Sequence, residues 1–285
     1  MRSLITFTPL LALIGCASYA NESAQDVAVK NCLNAYVSAF EKGARLSNDD
    51  GCAWGDISDQ TLADRVQAGI ADYLQRDASL VGYKVTFADD GRVVGSISDR
   101  MLLTSGATID LSTGARLLVE GDLLVRVGSA SINSAQSVTD VAANISELVP
   151  FMESSDMMLP RGTARRKAIW TATNGNARWG VMGKPIPVSG RAPQQLADMV
   201  ANIQVALIDS KGEELQRLGM SRHPLESVLD VIRERERLQA EPLKPGDVIS
   251  LGNFGRPRFP KSGDSYTTIF YGLGDGTPSV TVSFQ

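Results

Sequence analysis

Two segments near the start of the chain place apolar residues three or four positions apart. They cover residues 24–41 and 59–76, and their other positions are largely polar. This spacing puts the apolar side chains on one face of a helix, so both segments are predicted to be amphipathic helices. Gly43 closes the first helix, and a polar loop separates it from the second.

The period of the pattern shortens to two at residue 80. Residues 80–87 carry large apolar side chains at 81, 83, 85 and 87, with Gly82, Lys84 and Thr86 between them. This alternation predicts a strand, with Lys84 on the face opposite the apolar layer. Further strand candidates are residues 117–127, 205–208, 248–251, 266–271 and 279–284.

Two more helices are predicted among these strands. Ser137 can cap a helix whose apolar stripe reaches Leu148 and stops at Pro150, and Pro224 suits the first turn of another helix. Helices therefore come first, and strands mostly follow without regular alternation. This order indicates an α+β fold rather than a parallel doubly wound sheet.

The composition supports a globular core and argues against a nucleic-acid partner. Hydrophobic residues make up 43% of the chain, and the formal net charge is −4. No basic cluster is present: the arginines of residues 233–237 alternate with glutamates, as on a solvated helix face.

The N-terminus has the layout of a secretory signal. Arg2 precedes an apolar stretch over residues 4–14, which is too short to span a bilayer as a stable anchor. Its end, Leu-Ile-Gly-Cys at 13–16, resembles a bacterial lipobox, in which Cys16 would be lipidated. Ordinary cleavage after Ala20 is the alternative. In both cases we expect a chain exported to the periplasmic side, with a membrane anchor only if Cys16 is acylated.

The remaining cysteines agree with export. If Cys16 is lipidated, Cys32 and Cys52 form an even pair in an oxidising compartment. A bridge between them would close a loop of about 20 residues and contribute about 3 kcal/mol in the chain-entropy model. Two buried free thiols are the alternative, and export favours the bridge.

Three acidic residues are the candidate metal ligands. Strand periodicity places Glu120 and Asp122 on one face, where two neighbouring carboxylates repel each other unless water or a cation intervenes. Glu153 follows after a helix-sized insertion, so a strand, a helix and a second strand can bring it back beside this pair. Oxygen-only ligation is what Mg²⁺ or Mn²⁺ prefers. Taken alone, the pair also fits the wet side of a strand, and Glu153 also fits a solvated strand end.

Six short segments carry a resemblance to a known group of enzymes. The chain resembles the 2-keto-4-pentenoate hydratases and 4-oxalocrotonate decarboxylases of the fumarylacetoacetate hydrolase-like superfamily over nearly its whole mature length. The segments occur in the same order as in that family. They are Gly-Tyr-Lys-Val at 82–85, Val-Glu-Gly-Asp at 119–122, Val-Pro-Phe-Met-Glu at 149–153, residues 219–225, residues 243–249 and Gly-Leu-Gly at 272–274.

The resemblance implies a fold and a set of site residues. The implied fold is a mixed β-sheet roll or sandwich. Along the chain we expect a signal over residues 1–20, a helical segment over residues 21–79 and the catalytic domain over residues 80–285. The family's metal ligands fall on Glu120, Asp122 and Glu153, and its metal contacts the carboxylate and 2-oxo oxygens of the substrate. The catalytic lysine falls on Lys84.

Several positions depart from the family pattern. Asp122 replaces the usual glutamate. Asp99 lies one position before the place of the family's catalytic acid, and we nevertheless predict that Asp99 has this role. The family's Asp-Asn pair is represented only by Gly-Asn at 175–176. The only histidine, His223, precedes a helix, where it can cap the helix or line the site; we favour the cap.

The predicted function is that of a lyase that adds water to a 2-hydroxy-2,4-dienoate with the help of Mg²⁺ or Mn²⁺. A hydrolase is disfavoured, because the mature chain lacks the early histidine with which the superfamily's C–C hydrolases activate water. A decarboxylase acting on a related 2-oxo acid is the alternative enzyme. A non-catalytic exported protein that binds a 2-oxo acid is the alternative of another class. A homo-oligomer is compatible with the family, but no interface can be predicted.

Overall fold

A computed structural model describes residues 23–274 and 276–285. The predicted lipidation residue, Cys16, lies outside this range. The described helices are α1 Ala24–Lys42, α2 Gln60–Leu74, α3 Val138–Ala143, α4 Lys167–Thr171, α5 Pro193–Ala201 and α6 Glu226–Arg237. The described strands are β1 Leu80–Ala88, β2 Gly91–Ser98, β3 Leu102–Thr104, β4 Ala107–Ile109, β5 Glu120–Val127, β6 Ile145–Ser154, β7 Trp179–Met182, β8 Ile186–Pro187, β9 Gln204–Asp209, β10 Glu214–Leu218, β11 Val248–Ser250, β12 Ser265–Tyr271 and β13 Ser279–Phe284.

The two predicted N-terminal helices form within a few residues of their expected bounds. Ser23 and Asp26 make a reciprocal capping box at the start of α1, and Gly43 ends this helix with a φ of 58°. A side chain at Gly43 would meet the carbonyl oxygen of Ser112 at 2.2 Å, so this glycine also allows close contact with the rest of the chain. None of the described helices is both long and apolar enough to cross a membrane.

The predicted disulfide is confirmed. Cys32, on the buried face of α1, is bonded to Cys52 in the following loop. Both residues belong to an apolar cluster that includes the fully buried Trp54. The bridge therefore ties α1 to the loop that leads into α2.

Two sheets build the strand-rich part of the molecule. The larger has eight strands in the order β2-β1-β11-β5-β6-β7-β3, with β8 added beside β6, and the smaller has the order β10-β9-β12-β13-β4. Both contain parallel and antiparallel pairs. The main core cluster takes residues from each sheet, for example Leu123 from β5 and Phe270 from β12. The sheets therefore face each other across a shared core, as the predicted mixed sandwich requires.

The helix predicted to run from Ser137 toward Pro150 is wrong in its second half. Helix α3 ends at Ala143, and Ile145 begins strand β6, which pairs along its length with β5. The apolar residues at 145 and 148 fit a helical stripe, but they also fit a strand buried on both faces. Pairing with β5 decides between the two.

Candidate metal centre

The candidate ligands lie on the antiparallel pair β5–β6. Glu120 is directly opposite Glu153 in the register, and Asp122 is two residues further along the same face of β5. Gly121 lies between the two acids on the other face, where an added Cβ would meet Val205 at 2.7 Å. The absence of a side chain at Gly121 lets the second sheet approach at the level of the acids. The pair predicted from strand periodicity and the later Glu153 are thus brought together.

Burial and mutual repulsion set the protonation of these acids. Burial is the main cause, and the charge of Glu153 the second, of a rise in the pKa of Glu120 to about 8, which Lys84 partly offsets. The same two causes raise the pKa of Asp122 well above its ordinary value. Burial and the neighbouring negative charge therefore disfavour the charged forms of Glu120 and Asp122.

Within the described residues, Lys84 is the cation that forms an ion pair with one of these acids. Its side chain is only 2% exposed, its ammonium forms an ion pair with Glu153, and it donates a hydrogen bond to the hydroxyl of Ser155 at 2.9 Å. The sequence prediction that Lys84 points away from the apolar layer of β1 agrees with this position. Gly95 lies opposite Lys84 in β2, and an added Cβ there would meet the Lys84 side chain at 3.2 Å.

Asp122 is held by three hydrogen bonds. The hydroxyl of Ser250 donates to one carboxylate oxygen, and the backbone N–H groups of Leu123 and Gly252 donate to the other. These contacts fix the Asp122 carboxylate in one orientation, and Ser250 and Gly252 belong to β11 and the turn after it. A carboxylate oxygen has a second lone pair, so these bonds leave Asp122 able to accept a further contact.

The chemistry of this donor set fits a divalent cation. Glu120, Asp122 and Glu153 are three acids in a buried region, and Lys84 balances only one of them. In the described part of the chain, no three acidic, histidine or cysteine side chains already converge on a common point. The three acids do not converge because the Glu153 side chain is paired with Lys84 and the Asp122 side chain is hydrogen-bonded to β11. A hard, oxygen-preferring cation would supply the missing positive charge.

A cavity of about 240 Å³ opens beside Glu120. Polar groups of Ser155, Asn176 and Asn253 line it, and so do Phe87, Trp170, Phe259 and Arg165. Ser155 connects this cavity to Lys84, because its hydroxyl accepts the hydrogen bond from the ammonium group. The sequence reading missed Ser155 and Asn253. Ser155 could have been found from its position two residues after Glu153, whereas nothing local distinguishes Asn253.

One wall of this cavity is a strained turn. Asn174, Gly175 and Asn176 have φ angles of 52°, 60° and 59°, so three consecutive residues are left-handed. The side-chain amide of Asn174 compensates by bonding both the N–H and the C=O of Ser96 on β2, at 2.7 and 3.0 Å. This anchor holds Asn176, the residue matched to the family's Asp-Asn pair, against the cavity.

Asp99, predicted to be the catalytic acid, does not lie with these residues. It is exposed at the end of β2, and its carboxylate accepts a hydrogen bond from the backbone N–H of Ser79 at 3.3 Å. It lines neither the cavity beside Glu120 nor the gap beside Lys84. The prediction that Asp99 is the catalytic acid is therefore wrong. The family motif matched its place in the sequence, but its side chain points toward the start of β1.

His223 has the structural role that we favoured. Its Nδ1 accepts a hydrogen bond from the backbone N–H of Leu225, and its Nε2 contacts the carbonyl oxygen of Ala197, both at 3.1 Å. The first bond caps the chain entering α6, and the second ties it to α5. Burial is the main cause that lowers the pKa of His223.

The fold of this chain matches that of solved enzymes of known class. 4-Oxalocrotonate decarboxylase from Pseudomonas putida G7, in complex with magnesium and adipate, superposes with a TM-score of 0.75 at 17% identity, over 90% of this chain and 97% of the enzyme. Its complex with calcium and acetate gives 0.72. The yeast protein ynq8, of the fumarylacetoacetate hydrolase family, gives 0.50 at 12% identity, over 75% of this chain and 96% of ynq8.

No family model matches the sequence, and no curated protein matches it. At these identities the likeness establishes the fold. It confirms the predicted α+β fold of the fumarylacetoacetate hydrolase-like proteins.

Proposed function

We propose that this chain is a metal-dependent enzyme that acts on a 2-oxo acid or its 2-hydroxydienoate form. The observation that carries the proposal is the group formed by the half-buried Glu120 and the buried Asp122 and Glu153. This group lies beside Lys84 and next to a cavity large enough for a small acid. The matching fold supports it, because 4-oxalocrotonate decarboxylase was solved with magnesium and a dicarboxylic acid.

Glu120 and Glu153 would hold the cation from opposite strands, and Asp122 would add the third carboxylate. When bound, Mg²⁺ or Mn²⁺ supplies Lewis acidity toward the carboxylate and 2-oxo oxygens of a substrate. The hydrogen bonds from Ser250 and Gly252 hold the Asp122 carboxylate in one orientation on the β11 side of β5. Holding ligands by such outer contacts is a usual way to fix a metal site.

Lys84 is the residue that would move the proton. Its Nζ donates to Ser155, whose hydroxyl lines the cavity, so a proton can pass between Nζ and a bound substrate through Ser155. For a 2-hydroxy-2,4-dienoate, a proton delivered to C5 while the 2-hydroxyl loses its own gives the conjugated 2-oxo acid. Water then adds at C4 and C3 takes a proton, which yields a 4-hydroxy-2-oxo acid without any net oxidation.

Hydration is the reaction we propose first, and decarboxylation of a related 2-oxo acid is the second candidate, favoured by the fold match to a decarboxylase. The test incubates the purified protein with Mg²⁺ and a panel of 2-hydroxydienoates and 2-oxo acids, following dienoate absorbance and released CO₂. Loss of absorbance without CO₂ supports the hydratase, and CO₂ supports the decarboxylase. Absence of turnover with Mg²⁺ and also with Mn²⁺ would contradict an enzymatic function. It would leave the alternative of a protein that only binds a 2-oxo acid.

We also propose that the chain works outside the cytoplasm, attached to a membrane through Cys16. The disulfide between Cys32 and Cys52 supports an oxidising compartment. Intact-mass analysis of the native protein tests the anchor. A mature chain that begins with an acylated Cys16 is expected, and one that begins at Asn21 would contradict the lipid anchor.

A further inference from the structure

A second cavity, of about 370 Å³, lies between the N-terminal helices and the larger sheet. Helices α1 and α2 supply Phe40, Tyr73 and Leu74, and the segment after β2 supplies Met101. Arg178 and Trp179, at the start of β7, form the inner wall. We call this space the Arg178 cavity. Its walls thus combine an apolar and aromatic part with charged side chains, and none of the three candidate metal ligands lines it.

Arg178 is a buried cation without an ion pair in the described part of the chain. The residue is 7% exposed, and its Nε is buried without a hydrogen-bond partner. One terminal nitrogen donates to the carbonyl oxygen of Phe40 at 2.8 Å, and the guanidinium stacks on the Phe40 ring at 3.7 Å. Leaving a buried guanidinium without an anion is costly, so an anionic partner would be strongly favoured.

The acid that attracts Arg178 most strongly, Asp156, forms no ion pair with it in the described part of the chain. Asp156 attracts Arg178 electrostatically, but its two oxygens accept the backbone N–H groups of Ala115 and Arg116. Burial is the main cause that lowers the pKa of Arg178, which means that Asp156 does not compensate for the lost hydration.

With Arg178 included, the Arg178 cavity is lined by one more positive than negative side chain. Arg76 and Arg100 line it together with Glu41 and Asp77. Asp77 pairs with Arg100 at 3.1 Å, and Glu41 accepts a hydrogen bond from Tyr73. Three guanidinium groups therefore face two carboxylates, and the two carboxylates already have partners. An incoming anion meets a net positive surface.

We propose that the Arg178 cavity binds a small organic carboxylate with an aromatic or apolar body. The guanidinium of Arg178 would receive the carboxylate, since planar two-point contacts with carboxylates are the strength of arginine. Phe40, Tyr73 and Trp179 would cover the body of the ligand. This second site does not depend on the proposed function of the metal centre.

The Arg178 cavity is nevertheless next to that centre. Met101, Arg178 and Trp179 also line a gap of about 10 Å³ that reaches Lys84 and Glu153. Such a gap has room for about one water molecule and not for an organic acid. A ligand in the Arg178 cavity would thus be a separate occupant rather than a substrate that enters from the back.

The test uses benzoate as the probe, with benzamide as its neutral counterpart and inorganic phosphate as an anion without an apolar body. Binding to the full mature chain is followed by calorimetry and by tryptophan fluorescence. We expect benzoate to bind with a dissociation constant of about 1 mM or below. Benzamide and phosphate should bind at least tenfold more weakly, and Trp179→Phe should remove the fluorescence change.

Two arginine variants locate the site. Arg178→Met, which keeps an unbranched apolar stem, should weaken benzoate binding at least tenfold, and Arg178→Lys should weaken it less. Arg165→Met, at the cavity beside Glu120, is the matched control and should leave benzoate affinity unchanged. Melting curves check that each variant is folded. Unchanged benzoate binding in folded Arg178→Met or Arg178→Lys would overturn the proposal. Loss of benzoate binding in folded Arg165→Met would also overturn it. So would the absence of benzoate binding to the wild type.

Discussion

Lys84 is a fully buried cation that contacts one acid, Glu153, and one hydroxyl, Ser155. Its position makes two roles separable by experiment. It neutralises Glu153 in the metal-free protein, and it can pass a proton toward the cavity through Ser155. A change at this residue should therefore affect stability and turnover in different ways.

The first prediction is that Lys84→Met lowers turnover by roughly 10²-fold or more, because the proton-carrying group is lost. In metal-free protein it should also reduce the free energy of unfolding by about 3–5 kcal/mol, since Glu153 is left buried and unpaired. Chemical denaturation with and without Mg²⁺ measures the second effect. The double variant Lys84→Met with Glu153→Gln is the control and should recover part of the lost stability. Equal turnover in wild type and Lys84→Met would eliminate the proton-transfer role.

The second prediction concerns the ligand that departs from the family pattern. Mg²⁺ at the proposed site would stabilise only the folded state, so it should raise the melting temperature of the wild type by mass action. Asp122→Asn should reduce this rise, because one negative charge is removed. Asp99→Asn is the matched control, since Asp99 is exposed and away from the site, and it should behave like the wild type. An unchanged Mg²⁺ response in Asp122→Asn would show that Asp122 is not a ligand.

At the scale of the elements, the start of α6 depends on one histidine. His223 accepts the N–H of Leu225, and burial lowers its pKa below the ordinary 6.5. Below about pH 6.5, the unfolded chain therefore binds a proton that the folded chain resists. This contribution to stability is complete above the unfolded pKa and is lost as the pH falls.

The third prediction follows from this sign. His223→Asn keeps a side-chain acceptor for the helix start but does not titrate, and His223 is the only histidine of the chain. Urea unfolding at about pH 7.5 and about pH 5.5 should show a larger loss of stability in the wild type than in His223→Asn. An identical pH dependence in the two proteins would mean that His223 does not contribute.

The sequence predicted regular elements better than it predicted the site. Residues 80–87 alternate cleanly because one face of β1 is apolar, and α1 and α2 show a clear helical stripe. The segment from Ile145 to Leu148 was misread, because a doubly buried strand and a helix share that pattern and only pairing with β5 decides. Asp99 was misplaced for a related reason: a motif fixes the order of residues but not the direction in which a chain turns.

The proximity of the three acids could be predicted, because strand alternation puts Glu120 and Asp122 on one face and a later strand can return Glu153 beside them. The contacts that hold them could not. Ser250 and Gly252 reach Asp122 across 128 and 130 positions of sequence, and the Asn174 side chain reaches β2 across 78. Such contacts depend on the packing of the whole sheet, which no local pattern encodes.

At the scale of the whole molecule, the disulfide joins the N-terminal helices into one unit with the loop around Trp54. The fourth prediction is that replacing Cys32 and Cys52 together by serine lowers the free energy of unfolding by about 2–4 kcal/mol, because the unfolded chain loses a constraint. Guanidinium unfolding under non-reducing conditions measures this. The wild type treated with a reductant should show the same loss, and a variant as stable as the wild type would contradict the structural role of the bridge.

We propose that two neighbouring strands, β5 and β6, bring three acids together to hold a divalent cation. The most direct measurement is a crystal grown with Mn²⁺ and examined by anomalous scattering at the manganese edge. We expect one strong peak between Glu120 and Glu153, within reach of Asp122, with the Lys84 ammonium displaced from Glu153 toward Ser155. A well-ordered crystal with no manganese at these residues, and with the Lys84–Glu153 ion pair intact at millimolar Mn²⁺, would contradict it.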